Sequence, residues 1–325
     1  MSKVQYKKAS LIGVGFVLIY NILSSIKEVV SGHVVQTISP FLLVTMAFGF
    51  AFVFFQILSF FKYKNEYKKP FQDYSTLIKV NISTVGAWIG FFYGVKYLEP
   101  AIVSTLIAGI GPAIATIYQG FFASKRNINP VENYSAFGIL ICSILLVWIS
   151  LNGMTSVNSV NYIDITKGVI LTFISSVCVV ITTFYTKKLS GLGCSPMTIM
   201  AHRFYLLIPI SLIAFLITNT QKVNILENLP IIIYIAVFGA TIPLLCLQYG
   251  IKYCTPIMVV TLLAIAPLFT FLFEIADPRL NLSPVSGGLI TLTTAICIIS
   301  TLSSLKKEKQ ISTPSSLKKE KQAAN

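Results

Sequence analysis

The chain has 325 residues, 55% of them hydrophobic and 11% charged, with a net charge of +14. Soluble chains carry about 25% charged residues, so this much apolar surface must face something other than water. The basic residues lie between apolar runs and in the tail, with no basic, aromatic-laced domain, which argues against a nucleic-acid partner. There is no GxxxxGK[ST] loop for ATP, no CxxC or CxxH pair, and the two histidines, His33 and His202, are far apart. No metal or cofactor is expected, and the six cysteines read as small packing residues.

Ten apolar runs follow in chain order, at 9–30, 38–61, 76–96, 101–122, 133–151, 166–186, 197–218, 229–251, 256–275 and 285–303. Each is near the roughly 20 residues that a helix needs to cross the hydrocarbon core. The runs are continuous rather than alternating, which selects helices over strands. The expected fold is therefore an all-α integral membrane protein with ten transmembrane helices. The first run is long enough to span, and no cleavage pattern follows it, so no removable signal peptide is expected.

With the N-terminus in the cytoplasm, Lys7, Lys8, Lys62, Lys64, Lys68, Lys69, Lys125, Arg126, Lys187, Lys188, Lys252 and the tail lysines all fall inside. Only scattered cations such as Lys96, Lys167, Lys222 and Arg279 remain outside. This bias places both termini in the cytoplasm, in the inner membrane of a bacterial cell.

Two stretches repeat. YGVKYLEPAIVSTLIAG begins at Tyr93 and YGIKYCTPIMVVTLLAI at Tyr249, with nine of seventeen positions identical. The first crosses from the third run into the fourth, the second from the eighth into the ninth. Five runs separate them, an odd number, so the turn at Glu99–Pro100 lies outside and that at Thr255–Pro256 inside. This is the mark of an inverted repeat, five helices plus five, as used by secondary transporters around a midplane site. The division is 1–151 for the first repeat, 152–305 for the second and 306–325 for a basic tail. That tail repeats SSLKKEKQ at Ser303 and Ser315. Pro112 and Pro267 fall near mid-helix at matching places and are candidate kinks beside a pathway.

Ten spans, the inverted repeat and the small residues leading to a mid-helix proline resemble the drug/metabolite transporter superfamily, specifically its EamA-type members. SPMTIMAHRF, ending in Arg203 and Phe204, is similar to the family's arginine-bearing span opening. FLFEIADPRLNLSPVSGGLI is similar to its glutamate, here Glu274, followed by a glycine-led last span. The first half lacks both features: SPFLLVTMAF has no arginine, and Ser124 or Lys125 stands near the glutamate's place. The resemblance implies transport of small metabolites, often export of amino acids or related solutes.

Polar residues inside spans are the site candidates, because each is costly in lipid. Asn21, Ser24, Ser25 and Glu28 share one helix face. Asn81, Thr84 and Trp88 share another, with Trp88 central, where it either stacks on a ligand or packs in the core. Thr105, Ser176, Thr183, Gln248 and Thr261 complete the substrate-binding candidates, and Asn21, Trp88 and Thr105 are expected to face one cavity. Glu28, His202, Arg203 and Glu274 are coupling or gating candidates, with proton coupling and facilitated movement down a gradient both open; the two acids lie near span ends, and Glu28 follows Lys27 as a local charge partner. Against this, the better reading of Arg203 is snorkelling to headgroups and that of His202 is packing. The cavity is expected among spans 1, 3, 4, 6, 8 and 9.

The leading reading is a secondary exporter of small organic metabolites such as amino acids or their derivatives, acting by alternating access as a monomer or homodimer. Drug efflux and metabolite uptake stay open within the same class. A membrane enzyme on a lipid-linked substrate would need clustered catalytic groups that the sequence lacks.

Overall fold

The fold is taken from a computed structural model, in which residues 3–122, 130–151, 161–218, 225–276 and 283–312 are described. The readings on Ser124, Lys125, Arg126, Lys222, Asp277, Arg279 and the second SSLKKEKQ copy lie outside these residues. In chain order the helices are α1 (Lys3–Thr37), α2 (Pro40–Lys62), α3 (Tyr74–Tyr97), α4 (Pro100–Phe122), α5 (Pro130–Leu151), α6 (Tyr162–Gly191) and α7 (Pro196–His202). Then come α8 (Leu207–Thr218), α9 (Ile225–Tyr234), α10 (Ile242–Tyr253), α11 (Pro256–Leu263), α12 (Ala266–Ile275) and α13 (Pro284–Ser312). A 3₁₀ turn at Lys69–Asp73 leads into α3, and a π-helical turn at Ile235–Thr241 joins α9 to α10. No strand occurs among the described residues.

Proline starts many of these helices because its missing N–H costs nothing in the first turn. Pro40, Pro100, Pro196 and Pro256 all open one. Ser195 and Thr255 cap the starts of α7 and α11 by accepting from Thr198 N–H and Met258 N–H, a satisfied orphan donor in each case.

Six stretches among the described residues are long and apolar enough to cross a membrane: Ser10–Thr37, Pro40–Lys62, Tyr162–Gly191, Pro196–Thr218, Ile225–Tyr253 and Pro256–Ile275. Shorter apolar stretches run over Pro100–Gly111, Phe137–Ile149 and Pro284–Ser300. The partition of polarity is that of a chain in lipid. Phe54, Ile57, Phe61, Trp148 and Ile217 are exposed, while Asn21, Ser25, Thr84, Gln248 and Glu274 are fully buried. Polar groups in lipid must find partners inside the protein.

The seventh, eighth and ninth apolar runs are not the continuous helices that hydropathy suggests. The seventh breaks at Arg203–Leu206, between α7 and α8. Asn81 on α3 bridges the break: its Nδ2 donates to the His202 carbonyl at 2.9 Å and its Oδ1 accepts from Leu206 N–H at 3.3 Å. The ninth breaks at Ala264–Ile265, just before Pro267. There α1 supplies the bridge, with Asn21 Nδ2 donating to the Leu262 carbonyl at 2.8 Å and Ser25 Oγ to the Ala266 carbonyl at 3.1 Å. The eighth widens into the π turn. Pro243 cannot donate to the Gly239 carbonyl one α-helical turn back, and Ile242 N–H bonds to the Val237 carbonyl instead. By contrast α4 runs unbroken across Pro112.

Asn81→Leu should therefore destabilise the protein. It strips partners from the buried His202 carbonyl and the part-buried Leu206 N–H, at about 1–3 kcal/mol for a buried group left unpaired. The unfolding midpoint in detergent, compared with Asn81→Asp, checks this: the aspartate keeps the acceptor for Leu206 and should lose less.

The tightest packing is between α3 and α6, where glycines recur at helical spacing. A Cβ on Gly86 would meet Cys178 Sγ, one on Gly90 the Leu171 carbonyl oxygen, and one on Gly94 Thr172 Oγ1, each at 2.5 Å. Small residues four apart let helix backbones approach. At the end of this interface Gly168 lies against Tyr97 and Leu98. The α1–α10 interface has the same construction: Gly250 lies against Val17, and Gly13 against Tyr253 and Cys254. Gly94 and Gly250, Tyr97 and Tyr253, and Leu98 and Cys254 are corresponding positions of the repeated stretch.

Outside the spans, Lys188 near the end of α6 pairs with Asp73 at 2.7 Å. Asp73 also caps α3, accepting from Thr76 N–H at 3.0 Å and Thr76 Oγ1 at 2.8 Å. The hydrogen bond from Lys188, followed by those from Thr76, pulls the Asp73 carboxyl down from 3.8 to about 2. A depressed acid adds stability above its unfolded value and loses it as pH falls through its folded one. The difference in unfolding midpoint between the natural protein and Asp73→Asn should hold from neutral pH down to about 4 and vanish towards about 2.

Candidate functional site

A cavity lies between α1, α3, α4, α6, α10 and the α11–α12 break, with Arg203 from the α7–α8 break added. These are the six spans named from the sequence, plus one residue of the seventh. The cavity offers about 90 Å³ to the centre of a water-sized sphere. A single water needs about 10–15 Å³ by that measure, so there is room for several waters or a small solute. Most of the wall is apolar. The polar exceptions include Ser24, Glu28, Thr183, Lys27, Trp88 and Arg203.

Lys27 is 3% exposed and lies on α1 with its ammonium 4.1 Å from the centre of the Phe91 ring and 4.8 Å from that of Trp88. Aromatic faces attract a cation in this range. The stem of Lys27 runs along the π turn, where a Cβ on Gly239 would come within 2.6 Å of Lys27 Cγ. The glycine is thus what leaves the side chain its path. Arg203, 4% exposed, has one terminal nitrogen 3.7 Å from Met200 Sδ, and its Nε finds no acceptor. Trp88 Nε1 also has none. Glu28 accepts from Ser24 Oγ at 3.3 Å and from Thr270 Oγ1 at 2.8 Å.

The other residues singled out from the sequence are placed differently. Asn21 and Ser25 do not face the cavity, because they are spent on the α11–α12 break. Thr105 bonds to its own helix at the Ala101 carbonyl, and Thr261 does the same at the Ile257 carbonyl. Ser176 bonds to the Ile107 carbonyl of α4. The expectation that Asn21, Trp88 and Thr105 share one cavity is thus met by Trp88 alone. Gln248 is fully buried off the cavity wall, with neither amide atom partnered.

Arg203 is buried inside the protein, whereas a snorkelling side chain would be exposed at the surface. The helix break and Asn81 turn it inward. His202 packs among Tyr67, Phe71 and Tyr205, with Nδ1 2.8 Å from the Thr198 carbonyl.

Glu274 lies in the last turn of α12, at the span end, and is fully buried there. Its Oε1 accepts from Ala101 N–H at 2.9 Å. Its Oε2 meets no hydrogen-bond partner, and its neighbour is the carboxyl of Glu99. A hydrogen bond between two carboxyl groups needs a proton between them. The pair joins the start of α4 to α12.

Sequence reasoning passed over Lys27, which it took only as a local partner for Glu28. The signal was present: a lysine within a long apolar run is costly unless it serves a cavity. Among the described residues no cluster of His, Cys, Asp and Glu could hold a metal ion.

Residues 166–302 match the model of the EamA-like transporter family, part of the drug/metabolite transporter superfamily. This part of the chain is EamA-like. The EamA-like stretch runs from α6 through most of α13 and so contains all three irregular spans, Arg203 and Glu274. No curated protein matches the chain. A solved crystal structure of a protein is similar over 89% of this chain and 95% of its own, with a TM-score of 0.63 at 15% identity. At that identity the likeness concerns the fold alone, and its coverage extends the comparison beyond the EamA-like stretch.

Proposed function

We propose that this protein is a secondary transporter of small organic solutes. It works by alternating access between two inverted five-helix halves, 1–151 and 152–305, within a ten-helix bundle. In this reading it exports amino acids or their derivatives across the inner membrane of a bacterial cell, with both termini and the basic tail in the cytoplasm. The observation that carries the reading is the central cavity, walled by helices of both halves and furnished with buried cations, a carboxylate and aromatic rings. The EamA-like match supports it, since members of that family are membrane transporters of small solutes. The parallel packing of Gly168 on Tyr97 and Leu98, and of Gly13 on Tyr253 and Cys254, supports the inverted repeat. Each half thereby lends its first helix to the other half's third. The neighbouring carboxyls of Glu99 and Glu274 support proton coupling, because such a pair would tie two elements of opposite halves only while it holds a proton. Ser24, Trp88, Thr183 and Arg203 contact the solute.

Comparative metabolite profiling tests the reading. Cells with and without the protein are compared in medium and extract over time. Export predicts a solute that rises in the medium and falls in the cells, and counterflow of that labelled solute in liposomes should then be saturable. Movement in the opposite sense would overturn export, and no flux of any amino acid, organic acid, nucleoside, sugar or amine would overturn the carrier.

A further inference from the structure

We infer that the cavity selects small organic carboxylates that have an apolar or aromatic body and no charged amine, with Lys27 and Arg203 holding the carboxylate beside Trp88. This rests on the transporter reading and, of its substrate class, keeps the derivatives that lack the amine and sets the amino acids themselves aside.

The first argument is charge. Lys27 and Arg203 both line the cavity and both are at least nine-tenths buried. Among the described residues neither takes part in an ion pair; the pairs there are Lys167–Asp164 and Lys188–Asp73. Glu28 is the carboxylate on the wall, and its two oxygens are engaged by Ser24 and Thr270. Two cations against one anion leave one positive charge over. Buried charge that is left uncompensated is strongly unfavourable, and a single monoanion balances this one. A zwitterionic amino acid brings a second cation and leaves the excess in place; an amine doubles it.

The second argument is the hydrogen-bond inventory. Arg203 Nε and Trp88 Nε1 are buried donors without acceptors. Buried donors are ordinarily paired, and a carboxylate, with no donor of its own and about four acceptor sites, fits them. The third is architecture. Gly239 in the π turn clears the path of the Lys27 stem, and π turns inserted in α-helices recur at functional sites. Phe91, Trp88 and the aliphatic wall supply the surface for an apolar body.

The test uses the purified full chain in detergent, titrated calorimetrically with 3-phenylpropanoate, L-phenylalanine and 2-phenylethylamine. The carboxylate should bind at least about tenfold more tightly than the zwitterion, and the amine should give no heat of binding. Lys27→Met and Arg203→Met should each weaken the carboxylate by about tenfold or more, as truncation at a buried charge pair does. Lys27→Arg, which keeps the charge, should bind more tightly than Lys27→Met. Gly239→Ala, which leaves both cations in place but crowds the lysine stem, should weaken the carboxylate in a protein that still unfolds cooperatively.

Amine binding equal to carboxylate binding, or carboxylate affinity unchanged in both methionine variants, would overturn the inference. So would failure of all three probes to bind the folded natural protein. Flux assays in liposomes separate this from the carrier reading. Carboxylate binding without flux sustains the anion site and sinks the carrier, whereas saturable flux of another solute without carboxylate binding does the reverse.

Discussion

Gly90→Leu is expected to abolish the folded protein, or to lower its stability beyond the about 1–3 kcal/mol usual for over-packing. At this position even a Cβ would stand 2.5 Å from the Leu171 carbonyl oxygen and 3.2 Å from Ser175 N. Those are backbone atoms of α6 and cannot rotate away, so α3 and α6 must separate. The strain would not stay local, because Gly86 and Gly94 hold the same seam. Gly90→Ala gives a sharper test through its sign. Alanine normally stabilises a helix interior by about 0.5–1 kcal/mol relative to glycine. Gly49 on α2 and Gly15 on α1 have nothing within 4 Å of an added Cβ, so alanine there should raise the unfolding midpoint. Alanine at Gly90 should lower it. Equal shifts at all three positions would mean that the α3–α6 approach is not a close one.

At Glu274 the expected result divides by substituent. Glu274→Gln keeps an oxygen for Ala101 N–H and supplies permanent donors towards Glu99, so it imitates the protonated pair. The protein should fold with stability near that of the parent, bind its solute, and lose the dependence of flux on a proton gradient. Glu274→Ala removes the acceptor instead. It leaves Ala101 N–H buried and unpaired at about 1–3 kcal/mol, adds a cavity, and should lower the unfolding midpoint as well as flux. The decisive measurement is solute flux in liposomes with and without an imposed pH difference. A Glu274→Gln protein that still responds to the gradient like the parent would remove the Glu99–Glu274 pair from the coupling step.

Much of the frame was legible in the chain. The repeated stretch located two turns, and α4 and α11 do begin at Pro100 and Pro256. Apolar runs located the helices, because burial in lipid depends on composition over some twenty residues. What hydropathy could not register is the hydrogen-bond ladder within a run. Residues 197–218 and 256–275 are apolar enough to span, yet both are interrupted, and the side chains that make the interruptions tolerable sit on other helices. For the same reason Asn21 read as a cavity residue: its position on a polar face was visible, but its partner at Leu262 lies 241 residues away. Arg203 was ambiguous because depth within a span says nothing about which way a broken helix turns its last residue. The spacing of Gly86, Gly90 and Gly94 is visible in the chain as a small-residue pattern, as are the pairs Gly13–Gly15 and Gly109–Gly111. Of those four, Gly13, Gly109 and Gly111 do face close neighbours and Gly15 does not.

The bridged helix breaks carry a lesson for anyone altering what the protein accepts. The direction of Arg203 is set by Asn81, and the backbone beside Ala266 by Asn21 and Ser25, none of which borders the cavity. A mutant library confined to wall residues would miss the positions that aim them. Selection for a new solute should instead enrich changes on the far sides of α1 and α3, where one amide exchanged for another re-angles a half-helix without touching the cargo.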